Sequence, residues 1–141
     1  MKALIIKESG DFMACIFCEK IEDNKTIKET DYFKIIFDIN PIQKGHVLVI
    51  SKKHLSDLRE LNSIQIIELI NIEKKILDIF DTFSNILGGT IIQNNGETMD
   101  KNTHFHIHIV PRYADDYFWK NQDSIQNEIN LNLLERLISE G

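Results

Sequence analysis

The sequence predicts an α+β domain: an antiparallel sheet backed by one long helix, with a second helix at the C-terminus. Three observations predict it. Short β-branched runs are bounded by turn residues, as in YFKIIFDIN (32–40) and GHVLVISKKH (45–54). One stretch after Asn62 repeats its apolar residues at helical intervals. The segment THFHIHIVPR (103–112) alternates strictly. In an extended strand that pattern puts His104, His106 and His108 on one face, roughly 6.6–6.8 Å apart, with Phe105, Ile107 and Ile109 on the other.

The elements follow in order. Residues 1–12 precede MACIFCEKI, which begins at Met13 and would make a start of its own. They read either as an extension to a domain of 13–141 or as an N-terminal strand or arm. Residues 16–23 suit a short helix. The first clear strand, 32–40, ends in a turn at Asn40-Pro41, and the second starts at Gly45. Asn62 then caps a helix, with Gln65 three residues on to close the box. Ile66, Leu69, Ile70, Ile76, Leu77, Phe80 and Phe83 give that helix its apolar stripe. Gly88-Gly89 ends the region, and GTIIQNN (89–95) reads as a third strand. The histidine strand comes fourth, and Ser124–Ser139 reads as the final helix. Two strands, a helix, two strands and a helix make an α+β pattern on an antiparallel meander.

The 141 residues suit one domain with a real core, at 43% hydrophobic and 27% charged. A net charge of −6 and a pI near 5.3 argue against a nonspecific nucleic-acid or anionic-membrane partner, since both need a basic surface. A small phosphorylated ligand stays compatible, because one pocket can be locally positive. The early apolar run, Ala3 to Ile6, is too short for a signal peptide or a span, so the expected place is the cytosol. Thiols stay reduced there, and Cys15-x-x-Cys18 then suggests metal or redox use rather than a structural disulfide.

An imidazole can be neutral and nucleophilic near pH 7, and it donates where its ring carries a proton. Three on one strand face could bind a metal, bind phosphate oxygens or attack phosphorus. HFHIHIV resembles the signature of the histidine-triad (HIT) superfamily of nucleotide hydrolases and transferases. CIFCEKI, FDINPIQKGHVLVISKKH and QNNG are similar to the family's blocks in order and spacing. The resemblance covers most of the chain from Met13 to Arg112 and implies a HIT-like fold, a homodimer, and action on a purine nucleotide or nucleotide conjugate. By position it implies that His106 is the nucleophile, attacking the α-phosphate to form a nucleotidyl-histidine, and that His108 contacts phosphate oxygens. It places Asp38 at the ribose hydroxyls and Asn94 in the nucleotide site. Read alone, Asp38 is as well a solvated turn aspartate. In zinc-bearing members the C-x-x-C pair is joined by two histidines, which implies a closed, structural zinc site of Cys15, Cys18, His54 and His104. The alternative is two reduced thiols. His46 matches a further family histidine behind the site, where it reads equally as structural.

The chain also departs from the pattern. Where the family commonly has Gly-Gln before the first histidine, it reads Met99-Asp100-Lys101. That leaves open which group helps the leaving group; Lys101 and Thr103 are candidates, and each reads equally as a loop residue. The third triad member is His108 rather than glutamine, which argues against the transferase branch. Arg112, Tyr113, Asp115, Asp116, Tyr117, Phe118 and Trp119 form an aromatic, acidic loop, either a hydrophobic patch at a subunit interface or a lid or specificity loop for the leaving group. Two rivals to a hydrolase stand beside it: a nucleotide-binding module with negligible turnover, and a zinc-knuckle interaction protein.

Overall fold

The computed structural model describes residues 15–19 and 25–141. The expected extension, 1–12, lies outside the described residues, as do positions 20–23 of the expected first helix; 16–18 form a turn. Among the described residues, five strands form one antiparallel sheet: β1 (Thr26–Glu29), β2 (Phe33–Phe37), β3 (Val47–Ser51), β4 (Gly88–Gln93) and β5 (His106–Arg112). Their spatial order is β1-β2-β3-β5-β4. The meander therefore runs through β1–β3, and the histidine strand inserts between β3 and β4. That insertion moves the histidines from an edge to the interior of the sheet. Strand β1 went unread because TIKE is short, polar and bulged, as protected edge strands tend to be.

Helix α1 (Ser63–Phe80) starts where the sequence places it. The Asn62 side chain accepts from the Gln65 N–H, and the Gln65 side chain accepts from the Asn62 N–H. Its buried stripe is Gln65, Leu69, Ile72, Ile76 and Phe80. Leu69, Ile76 and Phe80 were expected there, whereas Ile66, Ile70 and Phe83 are exposed. The difference is geometric: steps of four, three, four and four keep one face, while 66 and 70 lie on the next stripe round the helix. This face packs with Phe105, Ile107 and Ile109, which are 0% exposed, so the apolar half of the alternation lies in the core as expected.

The opposite sheet face carries the histidines. Leu48 pairs with His108 and Ile50 with His106, so those aliphatic side chains floor the same face. The regular strand begins at His106 rather than His104. Residues 104–105 bend towards the segment after β3, where Phe105 donates to the Leu55 carbonyl. Helix α2 spans Leu131–Glu140, shorter than the expected Ser124–Ser139. Asn130 caps it by accepting from the Leu133 N–H, while upstream the Asn127 amide bonds the Ile125 carbonyl, a local bond that competes with helix. Among the described residues, no helix is long and apolar enough to cross a membrane.

Candidate active site

The triad rings are buried, and backbone carbonyls set which nitrogen of His104 and of His106 carries its proton. His106 Nδ1–H donates to the His104 carbonyl at 2.8 Å, which leaves Nε2 with a bare lone pair. His104 Nε2–H donates to the Ser51 carbonyl, which leaves Nδ1 bare. His108 lies beside His106, ring centres 4.9 Å apart, and its Nδ1 is 2.9 Å from His46 Nε2. Among the described residues, His106 Nε2 and His108 Nε2 have no hydrogen-bond partner. Burial pushes His106 below the usual histidine range, His104 down to about 4 and His108 down to about 3, so all three rings are neutral at pH 7. A neutral ring with one bare nitrogen is the form that can attack. Phe17 sits edge-on to His106 and His104, at 5.0 and 5.4 Å, and walls that end of the row.

Beyond Phe17 the bare Nδ1 of His104 meets both cysteines, 3.3 Å from Cys15 Sγ and 3.4 Å from Cys18 Sγ. His54 Nδ1 lies 3.1 Å from Cys18 Sγ, and all four donor atoms fall within 4.8 Å of one another. Around a tetrahedral zinc, sulfur and nitrogen ligands sit about 3.5 Å apart, given bonds of ~2.3 and ~2.0–2.1 Å. The donor set fits that ion. Without a cation, burial and the neighbouring Cys15 hold the Cys18 thiol up at about 11, because two thiolates this close repel. The expected ligands Cys15, Cys18, His54 and His104 therefore converge.

The expected nucleotide residues flank the other end. Asp38 follows β2 and is only 5% exposed, so it is not a solvated turn residue. Its Oδ1 accepts from the Asn40 N–H at 2.9 Å, and its Oδ2 faces His46 Nε2 and His108 Nδ1 at 3.6 and 3.8 Å. Asn94 is half-buried just past β4. Ile92 pairs with His108 on the histidine face, and Asn94 follows two residues on, just past the last paired residue, Gln93.

A model of the HIT domain matches residues 19–115. The chain belongs to the HIT-domain family. An adenosine 5'-monophosphoramidase of Schizosaccharomyces pombe is 31% identical over 109 residues, covering 74% of this chain and 79% of that protein. The crystal structure of a HIT family protein from Bacillus anthracis shares the fold at a TM-score of 0.67 and 27% identity, covering 89% of this chain and 93% of that one. A zinc-bound histidine triad family protein from Mycobacterium smegmatis matches at a TM-score of 0.57 and 25% identity, over 82% of this chain and 87% of that one.

Within this HIT domain, the Thr103 hydroxyl is not a free donor, since it donates to the Asp100 carbonyl at 2.6 Å. Lys101 is exposed. The loop after β5 is pinned: Arg112 grips Asp116 through Nε and Nη2 at 2.6 and 3.0 Å, reaches Thr90, and lies 4.4 Å over the Phe118 ring. These contacts tie the loop to β5 and β4, with Tyr117 and Trp119 exposed on it. Sequence reasoning missed Phe17, Ser51 and the backbone of Ile42 as parts of the site. For the two backbone groups no residue type could have signalled them.

Proposed function

We propose that this HIT-domain protein is a nucleotide hydrolase that cleaves at the α-phosphate of purine nucleotide derivatives, nucleoside phosphoramidates or dinucleoside polyphosphates, through a nucleotidyl-histidine intermediate. One observation carries the reading: the His104 carbonyl holds the His106 proton on Nδ1 at 2.8 Å, so the partnerless Nε2 is a lone pair beside the equally partnerless Nε2 of His108. His106 Nε2 gives its pair to phosphorus as the bond from phosphorus to the leaving group breaks. The leaving group departs with that bonding pair and takes a proton from solvent. The new imidazolium keeps its Nδ1–H on the carbonyl, which stabilises the charge. Water then attacks phosphorus and releases a proton to solvent, the P–N bond breaks with its pair returning to His106 Nε2, and the nucleoside monophosphate leaves with His106 neutral again. His108 Nε2–H donates to the phosphoryl oxygens, where negative charge grows.

Asp38 and Asn94 take the nucleoside; Asp38 Oδ1 keeps a second lone pair for a ribose hydroxyl. Cys15, Cys18, His54 and His104 would hold a structural zinc, which supplies folding free energy and offers substrate no open position. A homodimer is supported by β4, an edge strand with neither charge nor proline whose own Ile91 is exposed. The name of the S. pombe relative supports phosphoramidates first. Rapid quench of the purified protein with an adenosine 5'-phosphoramidate and with a dinucleoside polyphosphate tests the reading. An acid-labile adenylyl group on His106 is expected. Tight nucleotide binding with no adduct and no turnover would make the protein a binding module instead.

A further inference from the structure

His46 is fully buried at the start of β3, and both of its ring nitrogens are engaged. The Ile42 backbone N–H donates to Nδ1 at 3.1 Å. A backbone N–H cannot accept, so Nδ1 must be bare, and a neutral imidazole then carries its one proton on Nε2. That nitrogen lies 2.9 Å from His108 Nδ1. The same logic passes on: His108 Nδ1 accepts, so its proton stands on Nε2, the atom left without a partner. Burial lowers both rings below the usual histidine range, which keeps the pair neutral. The first donor in this relay is an amide that does not titrate and cannot reverse, so the polarity of the whole chain is set in the β2–β3 loop. Asp38 Oδ2, buried and partnerless, lies 3.6 Å from His46 Nε2 and 3.8 Å from His108 Nδ1, beside the shared proton.

We propose that His46 is a positioning residue which, anchored by the Ile42 N–H, holds the proton of His108 on Nε2 so that this ring meets the phosphoryl oxygen as a donor. The catalytic consequence rests on the hydrolase reading above; the proton position does not. Asp38, His46 and His108 also place three donor atoms within 4.8 Å, a set that resembles a metal site. The relay argues against an ion there. Metal on His46 Nε2 would move the ring proton to Nδ1, where it would face the Ile42 N–H head-on.

The test pairs nitrogen-15 NMR of the histidine rings with kinetics. In the unmodified protein at pH 7, His108 is expected as the Nε2–H tautomer; finding Nδ1–H overturns the proposal whether or not any variant folds. His46→Asn keeps an acceptor for Ile42 but is too short to donate to His108. It should mix the His108 tautomers and lower kcat by about ten- to a hundred-fold, less than the ~10²–10³ typical of a fully removed oxyanion donor because part of the population keeps the donor tautomer, with KM changed little. His46→Gln, whose amide can accept from Ile42 and donate to His108, should restore the tautomer and most of the rate. An unchanged tautomer in His46→Asn, an unchanged kcat with a shifted tautomer, or shifts in the His46 and His108 signals on adding zinc beyond one equivalent would each overturn it. If the unmodified protein turns over no nucleotide, the hydrolase reading fails, and the tautomer signals still decide the relay.

Discussion

At His106 one carbonyl decides the chemistry: with Nδ1–H committed to His104, the other nitrogen is a lone pair at neutral pH. His106→Ala should therefore lower turnover by several orders of magnitude while nucleotide binding and the melting temperature hold. A variant keeping more than about a tenth of the rate, a barrier change below ~1.4 kcal/mol, would remove His106 as nucleophile. Its two neighbours should fail differently. His104→Ala loses a donor atom 3.3 and 3.4 Å from two thiols and should weaken zinc retention and stability, with rate lost only through a displaced strand. His108→Ala should keep zinc and stability and lose about 2.7–4 kcal/mol of transition-state stabilisation. Metal content, thermal melts and kcat on the same two preparations separate them; full zinc and stability in His104→Ala with lost turnover would make all three histidines catalytic. Much of this was legible in the alternation of 103–112, because a strand turns period two directly into shared faces. The proton positions were not legible, since they depend on backbone carbonyls and amides of Ser51, His104 and Ile42, which carry no signature in sequence.

Among the elements, the start of α1 was read to the residue because a capping box is local: Asn62 and Gln65 need only each other. Its buried stripe was read less well, since Ile66, Leu69, Ile70 and Ile72 are all apolar and the sequence does not say which face meets the sheet. Strand order was hidden too, because the placement of β5 between β3 and β4 is a choice among nonlocal pairings. Asn62→Ala leaves the Gln65 N–H without its side-chain acceptor and should cost about 1 kcal/mol, read as a lower urea midpoint with unchanged slope. No change in midpoint would mean that packing of α1, not its cap, sets the end of the helix. The segment around Cys15 depends on a different kind of tie. Cys15→Ser should release zinc and lower the melting temperature more than it lowers the rate per folded molecule, since a closed metal site contributes to folding rather than to chemistry. Elemental analysis finding no metal in protein purified without chelator would leave two thiols in its place.

Over the whole molecule, the buried imidazoles tie stability to pH in a window separate from that of the carboxylates. His46 and His108 are both pushed below the usual histidine range by burial, His108 to about 3, whereas in the unfolded chain each titrates near its ordinary value of roughly 6.5. Between those values the unfolded chain binds more protons than the folded one, so stability rises with pH there and is lost as pH falls below about 6.5. Each such ring costs at most about 1.4 kcal/mol per pH unit across its window. The depressed carboxylates act lower: Arg59 holds Asp57 down at about 2 and Arg112 holds Asp116 below the usual carboxylate range, so their contributions are lost only below roughly pH 4. Chelator-treated protein should therefore show a urea midpoint that falls between pH 7 and pH 5, above the range in which Asp57 and Asp116 titrate. The His46→Gln variant, with one fewer buried imidazole, should show a shallower fall. A midpoint flat over that interval would mean that the rings charge as easily folded as unfolded, and the neutral rings on which both the attack and the relay depend would lose their support.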